Sequence, residues 1–399
     1  MLGSYSGQTI SVLNSDGQVI SDAKAIADTL GKAFAAVSSE ESYPRSFVNL
    51  KKQEETKTIN FTSFPEEAYN ADFTFQEFKN SLNESHPSSP GRLNRIWNEQ
   101  VYPVTWGKAI IVPIFKVGKD PQDPTNYRPI ALTSFLSKLM EKMVNKRLVY
   151  ILEKKGLLSK FQSGFRYGRG TQDNVLQLET AIREAFVTKK HLVSVLFDME
   201  KAYDRSWRYG ILKDMYNMGF RGKLPIFIKN FLQTRTFQVR VGDILSEEFI
   251  QKEGVPQGSV LSVVLFVIKI NGIIHQLPPY VHGSLFVDDF QIYCASTDMS
   301  FIERQIQAAI KQITEWADRN GFVLSVSKTN CVHFCRRRGL HPDPEISLNG
   351  SVIPVVREAK FLGIIFDSRL TFKSHILYLK RKWDIDLNLL KILSSRTWG

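Results

Sequence analysis

Cysteine is scarce in this chain of 399 residues, which contains only Cys294, Cys331 and Cys335. So small and odd a number argues against a disulfide framework and indicates a reducing compartment. The N-terminal residues MLGSYSGQTISVL have no basic flank followed by an apolar run, so no signal peptide is predicted. We therefore expect an intracellular protein, in the nucleus, the cytoplasm or both, with no evident targeting signal.

Long hydrophobic runs are also absent. The longest, from Val260 to Ile268, ends at Lys269 and is too short to span a bilayer. Acidic residues are in the minority, with 40 Asp and Glu against 52 Lys and Arg and a formal net charge of +12. Such an excess suits a polyanionic partner, although a merely basic soluble protein fits the charge equally well. Because no membrane segment is predicted, nucleic acid is the favoured partner.

The order of the apolar patterns predicts the fold class. KAIIVPIFK (108–116) is apolar and rich in strand-forming residues, and HLVSVLFDM (191–199) is typical of a buried strand. SLFVDDFQIYCA (284–295) has strand residues on both sides of an acidic pair. Phe301 to Asn320 has the apolar spacing of an amphipathic helix. This order predicts an α+β protein with an antiparallel sheet. Further strands are predicted at 322–326, 331–335 and 361–366.

The N-terminal part is more polar. Ser21 to Val37 has helical spacing, and Thr74 is a suitable cap for a short helix from Phe75 to Leu82. The stretch from Ser38 to Glu67 is rich in Ser, Lys, Glu and Thr, which is typical of a linker. HPSSPGR (86–92) should break any helix that precedes it.

Three aspartates stand in apolar surroundings. Asp198 ends one predicted strand, and Asp288 and Asp289 interrupt another. A carboxylate in such a place is costly to bury unless it is paired or binds a metal ion, and adjacent carboxylates raise each other's pKa. A divalent cation with oxygen ligands would remove both costs. The pair alone is weak evidence, because Asp-Asp is also common in turns.

The neighbouring segments strengthen this hypothesis. Tyr203 and Asp204 follow Asp198 closely, and GVPQGSVLS (254–262) precedes the acidic pair. Two glycines and a proline would let the backbone of that loop approach a ligand closely, although a simple helix-start turn explains the loop alone equally well.

Seven motifs in order resemble the reverse transcriptases of non-LTR retrotransposons, particularly the jockey-like elements of arthropods. The resemblance extends from about Ile111 to the C-terminus. The motifs are NYRPIALTS (126–134), QSGFRYGRGTQDN (162–174), FDMEKAYDRSW (197–207), GVPQGSVLS (254–262), FVDDF (286–290), LSVSKTN (324–330) and FLGIIFD (361–367). The resemblance implies a right-hand polymerase fold with fingers, palm and thumb. The expected division is an N-terminal extension or linker (1–75), fingers (76–185), palm (186–345, with a finger-side insertion at about 212–248), and palm end with a truncated thumb (346–399).

The resemblance also implies an RNA-directed DNA polymerase. Asp198, Asp288 and Asp289 match the acidic residues that hold two Mg²⁺ (or Mn²⁺) ions, which serve nucleotidyl transfer from a dNTP to a primer 3′-hydroxyl. Tyr203 matches an aromatic steric gate against a ribose 2′-hydroxyl, which favours a DNA product and disfavours an RNA-dependent RNA polymerase. The expected dNTP contacts are Lys116 (or Lys119), Arg128, Tyr203, Gln257, Gly258 and Lys328. A role of Lys328 as proton donor and an ordinary solvated lysine are equally compatible with the sequence.

The implied partners are an RNA template, a DNA primer and dNTPs, with no membrane and with a possible retroelement RNA-binding protein acting in trans. The expected template and primer contacts are Arg166, Arg169, Phe361, Leu362 and Gly363. The basic runs RRR (336–338) and KRK (380–382) would serve equally well as phosphate contacts or as solvated surface.

The chain departs from the family pattern in several places. Val287 stands where Ala is common, and the residues after Pro90 and Gly91 lead almost at once to the first predicted strand. This spacing predicts an internal deletion near 91. No endonuclease segment is recognisable, so we expect a fragment or a degenerate copy. A folded but inactive remnant that binds nucleic acid is the alternative function.

Cys331, His333 and Cys335 alternate, so a strand would place all three side chains on one face. Their spacing fits no zinc motif and a fourth ligand is missing, so the sequence favours ordinary strand residues.

Overall fold

A computed structural model describes residues 10–15, 17–62, 67–82, 91–233, 235–339 and 341–393. The chain divides into two compact units, each built from separate segments. The first unit comprises Met1–Ser159, Lys201–Gly272 and Ala317–Val323. The second comprises Lys160–Glu200, Ile273–Trp316 and Leu324–Gly399.

The described residues form α-helices and β-strands in a mixed order. The helices are α1 (Ala23–Val37), α2 (Arg45–Glu55), α3 (Phe75–Leu82), α4 (Gly91–Glu99), α5 (Phe135–Lys154), α6 (Thr171–Val187), α7 (Arg208–Asn217), α8 (Lys223–Leu232), α9 (Val260–Ile270), α10 (Met299–Asn320) and α11 (Lys373–Leu393). The strands are β1 (Leu13–Ser15), β2 (Gln18–Ile20), β3 (Lys108–Phe115), β4 (Tyr127–Leu132), β5 (His191–Phe197), β6 (Arg235–Val241), β7 (Ile244–Leu245), β8 (Phe249–Gln251), β9 (His282–Phe286), β10 (Asp289–Ser296), β11 (Asn330–Phe334), β12 (Ser347–Leu348), β13 (Ser351–Val352), β14 (Glu358–Phe361) and β15 (Ile364–Asp367).

The first unit is built around a five-stranded sheet with the order β4-β3-β6-β7, in which β8 also pairs with β6. The β3–β6 pair is parallel and the other pairs are antiparallel. Helix α1 covers this sheet because its apolar stripe, including Ile26 and Leu30, joins one core with Ile111 and Val239. Asp22 caps α1 by accepting a hydrogen bond from the backbone N–H of Ala25.

The predicted linker at 38–67 is wrong, because α2 lies within it. Phe47 is fully buried and packs edge-on against Trp207. The ammonium of Lys51 is buried too, at 2.9 Å from carboxylate oxygens of Glu40 and Glu55. Polar composition hid this helix because its burial depends on residues distant in the sequence.

The second unit contains a four-stranded antiparallel sheet with the order β11-β5-β10-β9. Strand β5 is central and buried, so its sequence is apolar at nearly every position. One face of the sheet shares a core with Leu178 and Ile182 of α6 and with Phe366 of β15. This sheet confirms the predicted α+β class and antiparallel arrangement.

Two predicted strands are wrong. Residues 322–326 form no strand, and their one ladder contact is an isolated bridge between Leu324 and Met199. Residues 361–366 are not one strand but the turn and second half of the β14–β15 hairpin. The chain reverses there because Leu362 and Gly363 both have positive φ, 47° and 90°, which is typical of tight hairpin turns.

The other predicted elements discussed above are present with small shifts of their ends, and α3 has the predicted bounds. The breaker residues before Gly91, and with them part of the proposed deletion point, lie outside the described residues. The domain boundaries given above stay predictions. In the described part of the chain, no helix combines the length and the apolar character that crossing a membrane requires.

Candidate active site

The three aspartates lie at one end of the second unit's sheet. Phe286 pairs with Asp289, so Val287 and Asp288 form a two-residue turn between β9 and β10. Asp198 immediately follows β5, whose last residue, Phe197, pairs with Phe290. A strand end and the adjacent hairpin turn thus bring the three carboxylates, here called the acidic cluster, to the same sheet edge.

Within the acidic cluster, Asp289 is the residue on which the negative charges of its neighbours act. Asp289 is exposed as a residue, but its carboxyl group is partly desolvated by the protein atoms around it. This desolvation, with the charges of Asp288 and Asp198, raises its pKa to about 6. Asp289 has no cationic partner among the described residues. Clustered carboxylate oxygens are the ligands that hard divalent cations such as Mg²⁺ prefer.

Lys328 forms an ion pair with Asp198 of the cluster. Its Nζ lies 3.1 Å from Oδ2 of Asp198, and both side chains are substantially exposed. The loop that carries it is attached to the strand end, because the backbone N–H of Ser325 donates to the carbonyl oxygen of Asp198. Thr329 closes the loop by donating its hydroxyl to the carbonyl oxygen of Ser325. The structure therefore holds this lysine at the acids.

A cavity of about 340 Å³ opens beside the cluster. Asp198, Asp289 and Lys328 line it together with Phe361, a predicted primer contact. Phe361 itself is buried, while Leu362 and Gly363 form the hairpin tip next to it. Glu358 and Lys360 also line this cavity, and no sequence pattern singled them out.

Gln162 supports the acidic turn from the QSGFR motif. Its side-chain Oε1 accepts hydrogen bonds from the backbone N–H groups of Gly164 and Val287, at 2.8 and 3.1 Å. Val287 is buried with φ 60°, a region that β-branched residues rarely adopt. A side chain at Gly164 would meet Val287 Cγ2 at 2.6 Å. The motif therefore braces the turn that presents Asp288.

Residues 165–170 of that motif form a surface loop. Arg166 donates to the carbonyl oxygen of Gln162, and Arg169 donates to that of Lys160. Phe165 and Tyr167 are 65% and 99% exposed. These arginines thus also shape the loop, and their predicted contact with a template stays a prediction.

In the first unit, Gln257 is fixed by two elements. Its Nε2 donates to both carboxylate oxygens of Asp204, at 3.0 and 3.1 Å. Its carbonyl oxygen accepts from the backbone N–H of Ala131 in β4. Burial raises the pKa of Asp204 to about 6, and the bond from Gln257 opposes this rise. The sequence pattern predicted no role for Asp204.

Two glycines let this loop approach its neighbours. Gly258 has φ 110°, and a Cβ there would lie 2.7 Å from the carbonyl oxygen of Ala131. Gly254 has φ 76°, and a Cβ there would lie 2.4 Å from the carbonyl oxygen of Asp204. Both positions therefore require glycine for space as well as conformation.

Glu141 holds the end of the loop. The residue is fully buried, and its carboxylate accepts from the Ser259 hydroxyl and from the backbone N–H of Val260. A negative charge is favourable at the N-terminus of α9. No local pattern indicates this role, because a glutamate within a helix such as α5 is common.

The remaining predicted nucleotide contacts also lie in the first unit. Arg128 is exposed on β4, opposite Ile114 of β3. Lys116 donates to the carbonyl oxygen of Thr125, and its charge acts on Asp204. Lys119 is exposed.

Tyr203 is held in place by an aromatic contact. Its ring stacks on Phe266 of α9 with the centroids 4.5 Å apart and an interplanar angle of 16°. The carbonyl oxygen of Tyr203 accepts from the backbone N–H of Val255. The ring position is therefore coupled to the same loop that carries Gln257.

The sequence of this chain matches the family model described as reverse transcriptase (RNA-dependent DNA polymerase) over residues 116–366, more than half of the chain. The chain therefore belongs to the reverse transcriptase family, which has the right-hand polymerase fold and generally uses divalent metal ions. The predicted fold is thus confirmed.

Several of its relatives come from Drosophila melanogaster. The chain is 32% identical over 311 residues to the probable RNA-directed DNA polymerase from transposon BS, covering 76% of this chain and 34% of that protein. It is 30% identical over 295 residues to the RNA-directed DNA polymerase from mobile element jockey, covering 72% and 32%. The resemblance to jockey-like non-LTR elements is therefore confirmed. The chain spans about a third of the length of these curated relatives.

Among solved structures, an apo telomerase from Candida tropicalis is similar with a TM-score of 0.45 and 15% identity. The match covers 70% of this chain and 60% of the telomerase chain. At that level the likeness supports no conclusion about this chain.

Proposed function

We propose that this chain is an RNA-directed DNA polymerase that joins deoxynucleotides to a primer 3′-hydroxyl. The observation that carries the proposal is the acidic cluster, in which Asp198, Asp288 and Asp289 share one sheet edge without a cation on Asp289. A carboxylate such as Asp289, which has only like charges as electrostatic neighbours, is stabilised when positive charge is delivered to it.

Asp198, Asp288 and Asp289 would hold two Mg²⁺ or Mn²⁺ ions. When bound, such ions favour loss of the proton from the primer 3′-hydroxyl and stabilise charge on the leaving pyrophosphate. Lys328 is already held at this edge by Asp198, with its ammonium at 3.1 Å. An ammonium there can neutralise phosphate charge and can donate a proton to the departing oxygen.

The first unit supplies the nucleotide contacts in this proposal. The guanidinium of Arg128 suits bidentate binding to the triphosphate, and Lys116 adds positive charge. Gln257 and Gly258 present a rigid loop for the base pair, because Asp204 and Ala131 fix Gln257. The stacked ring of Tyr203 would exclude a ribose 2′-hydroxyl.

The substrates follow from the family and from this gate. An RNA template and a DNA primer are the proposed nucleic-acid partners, with Arg166, Arg169 and the β14–β15 hairpin as proposed contacts. An RNA-binding protein of the same element, acting in trans, stays a proposal, as does location in the nucleus or cytoplasm.

Primer extension on an RNA template with Mg²⁺ and dNTPs tests this function. We expect extension by the parent chain and none by the double variant Asp288→Ala/Asp289→Ala. A double variant as active as the parent would refute the proposal. Binding of the template–primer without extension by the parent would support the inactive remnant, and preference for rNTPs would support an RNA polymerase.

The gate has its own test in the same assay. Tyr203→Ala should raise incorporation of rNTPs relative to dNTPs by about 100-fold, since one excluded hydroxyl accounts for a few kcal/mol. Tyr203→Phe keeps the ring and should keep the parent's selectivity. Equal selectivity of the alanine variant and the parent would remove Tyr203 from this role.

A further inference from the structure

The opposite end of β5 carries a second group of metal-binding side chains. His191 is the first residue of β5, whereas Asp198 follows its last, so the two are separated by roughly 20 Å of strand. Strand β11 lies beside β5 with His333 opposite Val193. Continuing this antiparallel register places Cys335 opposite His191, and His333 and Cys335 are two residues apart and share a face.

The donor atoms of these three side chains converge. One ligand atom each from His191, His333 and Cys335 lie within 4.8 Å of one another. Both histidines are buried, with 4% and 8% of their surface exposed, and Cys335 is half-buried. Two imidazoles and a thiolate are donors that Zn²⁺ prefers, whereas Mg²⁺ prefers oxygen.

The hydrogen bonds orient the rings for this purpose. Nδ1 of His333 lies 3.1 Å from Oδ1 of Asp343, so a proton on Nδ1 is directed to the carboxylate and Nε2 is left as the donor to a metal. Nε2 of His333 is 2.9 Å from Nδ1 of His191. Two nitrogens bound to one tetrahedral Zn²⁺ lie about 3.3 Å apart, so the rings need to separate by a few tenths of an ångström.

One contact has to change on binding. Nη1 of Arg337 is 3.1 Å from Nε2 of His191, an arrangement that suits the metal-free tautomer. Coordination through Nδ1 would put the proton of His191 on Nε2 and release Arg337. That side chain is exposed, so its release costs little.

We propose that His191, His333 and Cys335 form a zinc site at the β5–β11 strand ends, with Asp343 as the carboxylate that orients His333. The fourth position would be taken by water or by His341, whose ring centroid is 4.9 Å from that of His191.

A bound metal ion would cross-link the ends of β5 and β11 and stabilise the segment around Asp343 against them. The site would therefore be structural, since it lies at the strand end remote from the acidic cluster. The inference does not depend on the proposed polymerase activity, and its test needs no substrate.

Cobalt titration of the reduced, tag-free, chelator-stripped chain tests the site, because Co²⁺ reports both thiolate ligation and tetrahedral geometry by its absorption. We expect one equivalent of Co²⁺ to saturate a thiolate charge-transfer band, and one equivalent of Zn²⁺ to remove that band by displacement. Cys335→Ser should abolish that band, and His333→Ala should weaken binding by at least 100-fold. Asp343→Asn should weaken it by about 10- to 100-fold.

Matched controls distinguish this site from others. Cys331→Ser changes a thiol two residues from His333, and Cys294→Ser changes a buried thiol of β10; both should keep the band. Asp289→Asn should keep it as well. Absence of the band in the parent, or a band that survives Cys335→Ser, would overturn the proposal. If His333→Ala fails to fold, the half-buried Cys335→Ser still decides, and Zn²⁺ should raise the melting temperature of the parent but not of that variant.

Discussion

Carboxylates serve opposite purposes in the two units. In the first unit, Glu141, Asp204 and Glu253 are enclosed and each accepts hydrogen bonds from named donors. In the second unit, the acidic cluster has one lysine on Asp198, while Asp289 is surrounded by negative charge. Carboxylates therefore connect structural elements in the first unit, whereas in the second unit Asp289 has only like charges as electrostatic neighbours.

The difference shows how a site can be distinguished from a scaffold. Glu253 is raised in pKa by burial, yet Lys51 at 3.1 Å and the backbone N–H of Arg208 at 3.0 Å compensate its charge. Asp289 has a raised pKa with only like charges among its electrostatic neighbours. A carboxyl group whose pKa is raised but which accepts compensating hydrogen bonds has a structural role. A carboxyl group with a raised pKa and no such donors is a candidate binding site for a cation.

Removing a charge from the acidic cluster should have the largest effect on activity. Asp289→Asn should lower primer extension on the order of 1,000-fold, because a metal ligand is lost. Its melting temperature should equal or exceed that of the parent, since the repulsion from Asp198 and Asp288 is relieved. Asp243→Asn, in the exposed β6–β7 turn, is the control and should change neither quantity. A large loss of stability in Asp289→Asn would make this acid structural.

Removal of the Lys328 ammonium should have the second largest effect on activity. Lys328→Ala should slow nucleotide addition by about 100-fold, as expected for loss of a proton donor. The free energy of unfolding should change by less than about 0.5 kcal/mol, because the pair with Asp198 is largely exposed. Lys328→Arg keeps the charge but donates protons poorly, so it should recover little of the rate. Full activity of the alanine variant would leave only a surface ion pair.

Adding a side chain to the tightly packed loop around Gln257 tests the structural role of this loop in the first unit. Gly258→Ala should destabilise the chain by about 1–3 kcal/mol, since its Cβ would lie 2.7 Å from the carbonyl oxygen of Ala131. Gly118→Ala is the matched control, because Gly118 has φ 83° but open space around it, and should cost about 1 kcal/mol. Chemical denaturation measures both. If both variants lose the same free energy of unfolding, the loop around Gln257 shifts enough to accommodate the added methyl group, and the predicted close contact has no cost.

The pH dependence of Asp204 should give the smallest effect. Its pKa is about 6 in the folded chain and 3.8 ordinarily, so its protonated form favours folding. That contribution is complete below about pH 4 and is lost as pH rises through 6. Asp204→Asn should therefore match the parent near pH 4 and be more stable by roughly 1–3 kcal/mol at pH 7.5, less what the weaker bond to Gln257 removes. A difference independent of pH would contradict the raised pKa.

The features that could be predicted from the sequence are those encoded by short local patterns. Strand β5, the hairpin around the acidic pair and the order of the motifs follow from apolar runs and from Asp198, Asp288 and Asp289 themselves. Lys328 was expected near the leaving group, and the structure holds it at Asp198. These residues are readable because each lies within a short segment of distinctive composition.

What the sequence could not predict depends on contacts between distant segments. The sequence predicts a linker where the structure has helix α2. The contacts that stabilise this helix, between Phe47 and Trp207 and between Lys51 and Glu253, form only in the folded chain. Glu141 is unremarkable in a helix until Val260 donates to it. The group of His191, His333 and Cys335 is invisible for the same reason, since adjacent strands bring together residues 142 positions apart.

Cleavage of the chain by bound iron tests most directly that the acidic cluster is a cation site. With zinc present to fill the proposed histidine–cysteine site, Fe²⁺ and a reductant with peroxide should cut the backbone near residue 198 and residues 288–289. Excess Mg²⁺ should suppress these cuts, and Asp289→Asn should lose them. Cuts elsewhere only, or cuts at this edge that persist unchanged in Asp289→Asn, would contradict the account.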